Sequence, residues 1–151
     1  MPVEQASETV TIRAAPERCY EIALAFERYP EWAADIKQVH VLERDAQGRG
    51  TRVAYRAGAL GQSIRYTLAY DHSDAPRVLA WVQAEGDLTR KLDGSYVFEP
   101  DGSGGTDTTY NLVVELKVPV LGFIKRRAEH RILHTALREL KARAEHGQGR
   151  A

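Results

Sequence analysis

One cysteine, Cys19, stands in 151 residues, so no internal disulfide and no cysteine-rich metal site can form. Charge of one sign is also missing. Lys plus Arg and Asp plus Glu number 21 each, which gives no general pull toward nucleic acid or membrane. No apolar run approaches the roughly 18 residues of a membrane span. The first residues, MPVEQASETV, lack the basic and apolar regions of a secretory signal, and a reducing cytoplasm is the expected location. There is no Gly-rich phosphate loop, no nucleophile elbow, no Cys–His pairing and no internal repeat. No cofactor is called for. What is present is ordinary for a single globular domain over residues 1–151, with an ordered core from about 6 to 146: 43% hydrophobic and 28% charged residues.

The organising stretch is the last one, Val118 to Ala144, VPVLGFIKRRAEHRILHTALRELKARA. Its apolar residues Leu121, Ile124, Ala128, Ile132, Ala136 and Leu140 recur at helical spacing, with Leu133, Leu137 and Ala144 beside them. A helix from Leu121 to Ala144 would be about 36 Å long. Its other face carries Arg127, His130, Arg131, His134, Arg138 and Lys141.

Almost everything before it reads as strands. Thr9 to Arg13 alternates. Pro16 then opens a short helix to about Glu27, with Cys19, Ile22, Ala23 and Phe26 on one face. Tyr29-Pro30 interrupts it, and Glu31 to Ala34 makes one more short turn with Trp32 inward. Six strands follow: Ile36–Glu43, Thr51–Ala57, Ser63–Asp71, Val78–Ala84, Leu88–Glu99 and Thr108–Leu116. Gly58 to Gly61 turns the chain between two of them, and Gly94 reads as a bend or bulge. Short connections make neighbours antiparallel. The order predicts an α+β fold, a curved antiparallel sheet gripping a C-terminal helix.

One face of that sheet carries Tyr55, Tyr66, Tyr70, Trp81, Tyr96 and Tyr110. A packed core favours Leu, Ile and Val, because a buried phenol needs a hydrogen-bond partner. A tyrosine-rich face opposite a helix is either a cavity wall or a core edge with its hydroxyls in water. Arg56 and Arg65 fall on the opposite face.

The segment TVTIRAAPERCYEIALAFERYPEWAADIKQVHVLERDAQGRG and the tail VELKVPVLGFIKRRAEHRILHTALRELKARAE resemble the START-like (Bet v 1-like) superfamily, in its polyketide cyclase/dehydrase and coenzyme Q-binding-like branch. Tyr29-Pro30-Glu31-Trp32, Gly94-Ser95-Tyr96, and Val118-Pro119 leading into Lys125-Arg126-Arg127-Ala128-Glu129 carry most of it. The resemblance implies a helix-grip fold: a seven-stranded antiparallel sheet around a long C-terminal helix, with two short helices after the first strand and a hydrophobic cavity between. It implies a small hydrophobic ligand (a lipid, an isoprenoid or quinone, or a polyketide-like molecule), with a polyketide aromatase/cyclase as the enzymatic alternative. A ribosome- or membrane-associated interaction protein, acting through the basic helix face and not through DNA, is a third.

The expected ligand wall is Tyr55, Tyr66, Tyr70, Trp81, Tyr96 and Tyr110 from the sheet, with Ala128, Glu129, Ile132 and Ala136 from the helix. Glu129 is the candidate acid. It lies on the apolar side of the helix and either pairs with Lys125 one turn before it or points into the cavity. His130 and His134 have a zinc-compatible spacing, but they sit among Arg127, Arg131 and Arg138, and no metal site is expected there.

Overall fold

The structure, a computed structural model, describes residues 5–59 and 61–148. The first four residues of the N-terminal stretch and Leu60 of the expected turn lie outside these. Strand β1 (Ala6–Ile12) is followed by α1 (Pro16–Leu24) and a 3₁₀ helix (Phe26–Glu31). Then come β2 (Ile36–Arg44), β3 (Gly50–Ala59), β4 (Gln62–Asp71), β5 (Val78–Gly86), β6 (Thr89–Pro100), β7 (Thr106–Leu116) and α2 (Gly122–Gln148). The strands form one antiparallel sheet in the order β1-β7-β6-β5-β4-β3-β2. This is the helix-grip α+β fold.

Local chemistry explains the punctuation. Pro16 sits at the start of α1, where its missing N–H is not needed, and Glu17 lies in the first turn near the positive helix end. The helix breaks at Ala25, whose backbone leaves the helical region at φ −81°, ψ 67°. The sequence predicts that break at Tyr29-Pro30. Instead Pro30 lies inside the 3₁₀ helix, whose φ matches the angle its ring fixes. Two hairpin loops are each built on an aspartate. The Asp45 carboxylate accepts hydrogen bonds from the Gln47 and Arg49 amides at 2.9 Å. Asp101 accepts from the Ser103 amide at 2.8 Å and the Gly105 amide at 3.0 Å.

The strand faces alternate as their sequences do. Val53, Tyr55, Leu68, Leu79, Trp81, Phe98, Tyr110 and Leu112 are buried inward. Arg56 and Arg65 are cross-strand partners on the outer face. Gly94 is not a bulge. It pairs in register with Trp81 on β5 and Leu112 on β7. A Cβ there would stand 2.5 Å from the Asn111 carbonyl oxygen and 2.7 Å from the Trp81 ring. The glycine leaves room for both the β7 backbone and the indole. The irregularity in β6 lies earlier, between Thr89 and Lys91.

Helix α2 is rotated from its expected face and reaches past the sheet. Leu133, Leu137, Leu140 and Ala144 are fully buried, while Leu121 is 63% exposed and Ile124 41%. Its main packing is against β1, β7 and α1, and the exposure of Leu121 and Ile124 shows that the start of the segment takes little part in it. Polar clasps fix the remainder. Lys141 Nζ donates to the Thr11 carbonyl at 2.7 Å, and the Arg13 amide donates to Glu145 at 2.9 Å.

Candidate functional site

Between the inner face of the sheet, α2 and the segment after the 3₁₀ helix lies a cavity of about 180 Å³. The strands contribute Tyr55, Ile64, Tyr66, Leu68, Tyr70, Trp81, Leu92, Tyr96 and Tyr110; α2 contributes Ile132, Thr135, Ala136 and Glu139. Tyr29, Trp32, Ala33, Asp35 and Ile36 close the remaining side, with Gly58 at the end of β3. Asp35 is exposed and Ile132 is 38% exposed, which places the opening between α2 and the entry to β2. A larger depression of about 520 Å³ lies on the outer face, lined by Gln38, His40, Arg56, Arg65 and Glu85 among others. It is open to solvent. The interior cavity has the more apolar walls.

The rings make a continuous aromatic wall. Tyr55 stacks on Tyr66 at 5.2 Å between centroids, Trp81 meets Tyr110 at 5.8 Å, and Tyr96 meets Tyr110 at 4.7 Å. Two hydroxyl interactions are internal: Tyr55 and Tyr70 share a hydrogen bond of 2.6 Å, and Tyr29 donates to the Ala23 carbonyl. The hydroxyls of Tyr66, Tyr96 and Tyr110 have no protein partner among the described residues. Tyr96 and Tyr110 are each only 8% exposed. Burial is the main cause that pushes the phenols of Tyr29, Tyr55, Tyr66, Tyr70, Tyr96 and Tyr110 up from their ordinary value. All six are therefore neutral donors at physiological pH.

Three polar wall residues, Asp35, Thr135 and Glu139, escape a reading of the sequence. Glu139 projects from α2 into the cavity wall, and its Oε2 accepts a hydrogen bond from the Ala34 amide at 3.0 Å. The helical phase of Ile132 and Ala136 carries Glu139 with it, three residues beyond Ala136.

The sequence profile of the family described as polyketide cyclase / dehydrase and lipid transport matches residues 4–145. The chain belongs to this family. A START superfamily protein from Mycobacterium smegmatis is 27% identical, with a TM-score of 0.88 over 94% of this chain and 97% of the other. The Zhui aromatase/cyclase from Streptomyces sp. R1128 superposes with a TM-score of 0.86 at 17% identity, over 99% of this chain and 98% of that one. A protein from Thermus thermophilus is 24% identical, with a TM-score of 0.77 over 95% of this chain and 99% of the other. These last two likenesses show the START-like fold. No curated protein matches the sequence significantly.

In this polyketide cyclase/dehydrase family member the expected wall divides. All six named aromatics of the sheet line the cavity, as do Ile132 and Ala136. Ala128 and Glu129 are not among its lining residues. Glu129 is 5% exposed, and its Oε2 lies 2.8 Å from Lys125 Nζ. His134 Nδ1 lies 3.2 Å from a Glu8 carboxylate oxygen, and His130, Arg127, Arg131 and Arg138 are exposed. Burial pushes the Cys19 thiol up from its ordinary value, so Cys19 offers no ready nucleophile. Among the described residues no group of three metal-ligating side chains occurs, and no helix is long and apolar enough to cross a membrane.

Proposed function

We propose that the cavity binds a small hydrophobic ligand of one or two rings. The observation that carries this reading is the set of unpartnered hydroxyls of Tyr66, Tyr96 and Tyr110 in an otherwise aromatic and aliphatic wall. These hydroxyl oxygens are not sealed in protein but reach the cavity space, where an oxygen-bearing ligand can accept from them. The volume sets the size. A cavity of about 150 Å³ accommodates benzene, whereas drug-sized ligands occupy about 300–1,000 Å³. At about 180 Å³ the space suits a substituted ring rather than a long isoprenoid tail.

Ala136 is the place to test it, because it lines the cavity and is small. With p-cresol as probe, shifts in the amide NMR spectrum should cluster on β4, β6 and β7. Ala136→Phe should weaken binding by about tenfold or more by filling the space. Shifts confined to the outer face, or unchanged affinity in Ala136→Phe, would refute the assignment.

A second reading, polyketide cyclisation, is favoured by Glu139 sharing a wall with neutral phenol donors. A carboxylate there would take a proton from carbon between two carbonyls, and the phenols would hold the developing enolate oxygen. Glu139→Gln should then lower turnover of a short β-diketone mimic by about 100-fold while its affinity stays within a few-fold. Equal turnover in the variant would remove the base from this reading.

A further inference from the structure

The charge of the cavity wall narrows the ligand class further, given that the cavity is the ligand site. Among the described residues Asp35 and Glu139 are its charged lining residues, and no Lys, Arg or His lines it. Neither carboxylate has an ion-pair partner among the described residues. Glu139 uses Oε2 to accept from the Ala34 amide, and its other oxygen is unpartnered among the described residues. The nearby cations Lys37 and Arg143 do not line the cavity. Lys37 Nζ donates to the Ala34 carbonyl at 2.7 Å, and Arg143 pairs with Glu31 at 2.8 Å. The two carboxylates also act on the interior: Asp35 is among the causes that raise the Tyr66 phenol, and Glu139 among those that raise Tyr96.

The polar groups therefore fall into two sets. Tyr66, Tyr96 and Tyr110 offer donors from the sheet, and Asp35 and Glu139 offer negatively charged acceptors from the entry to β2 and from α2. Aromatic faces beside the carboxylates add to the attraction for a cation. A ligand carboxylate or phosphate would meet like charge with no cation among the described lining residues to receive it.

We infer that the cavity selects small arylalkylamines, an aromatic ring with an oxygen substituent toward the tyrosine hydroxyls and a short arm ending in an ammonium group, and rejects carboxylates of the same size. The ring lies on the aromatic wall and the ammonium group lies between Asp35 and Glu139.

Three ring-matched probes test this at neutral pH: phenethylamine, 2-phenylethanol and phenylacetate, titrated by calorimetry or NMR. The expected order is amine, alcohol, carboxylate, with the amine about tenfold or more tighter than the carboxylate. Asp35→Asn and Glu139→Gln should each shrink that ratio, and together should bring amine and carboxylate within about threefold. The use of both variants guards against one that folds poorly, and thermal unfolding identifies such a case. Phenylacetate binding as tightly as phenethylamine would overturn the inference, as would an amine preference that persists in the double variant. In either case the alcohol still binds and the cavity reading stands. If none of the three binds the wild-type protein, the cavity reading fails and this inference with it.

Discussion

Raising the pH above about 10, the ordinary phenol pKa, should unfold the protein steeply. The sign follows from which state holds its protons. Tyr29, Tyr55, Tyr66, Tyr70, Tyr96 and Tyr110 have folded pKa values above the unfolded one, chiefly because burial disfavours the phenolate. Below the unfolded pKa both states are protonated, and the stabilisation is fully present. Above it the unfolded chain ionises while the native wall does not, so stability falls by up to about 1.4 kcal/mol per pH unit for each such phenol. Several phenols titrating together exhaust a domain stability of about 5–15 kcal/mol within a pH unit or two. Urea unfolding followed by circular dichroism at stepped alkaline pH measures the slope. Tyrosinate absorbance should rise together with loss of structure. A rise in tyrosinate at the ordinary pKa, with structure intact, would show that these rings meet water freely.

Leu137→Ala should destabilise the protein by about 2–5 kcal/mol, the cost of a core leucine plus the void it leaves. Leu137 is fully buried, in line with Leu133 and Leu140 on the stripe of α2 that meets the sheet. Leu121→Ala, at the start of the same segment, should change stability by no more than about 0.5 kcal/mol, because Leu121 is 63% exposed. Urea midpoints at unchanged m-value report both. Equal losses at the two positions would mean that the first turns of α2 are packed after all.

That contrast marks where the sequence stopped being legible. Helical periodicity treats every turn of α2 alike, so Leu121 and Ile124 read as core beside Leu137. Which turns meet a partner depends on the extent of β1 and β7, which α2 does not encode. Period-2 patterns carried further. Tyr66, Leu68 and Tyr70 alternate with Arg65 and Ala69, and this face does line the cavity. Glu129 drew attention as a carboxylate on an apolar helix side, and it lies buried against Lys125. Glu139 carried the same kind of signal one face further round, but only the placement of Ile132 and Ala136 at the cavity gives that phase its meaning. Asp35 gave no signal, since a loop aspartate before a strand has many uses. Gly94 announced close approach or a bulge equally well, and only the neighbouring Trp81 ring decides between them.

The far edge of the sheet has a consequence for how the molecule keeps its own company. Among the described residues β2 bonds to β3 alone, and its other margin is a row of backbone donors and acceptors with no strand beside it. Such a margin invites a strand from a second chain. Here the pairing spacing is broken three times, after Ile36, after Val41 and after Glu43, and Lys37, His40, Glu43 and Arg44 lie along it, all four exposed. An incoming strand would find no unbroken ladder and would have to bury those charges. Irregularity at this border thus acts as a guard against self-association, leaving the protein free to carry a tyrosine-lined hollow without a neighbouring copy extending its sheet.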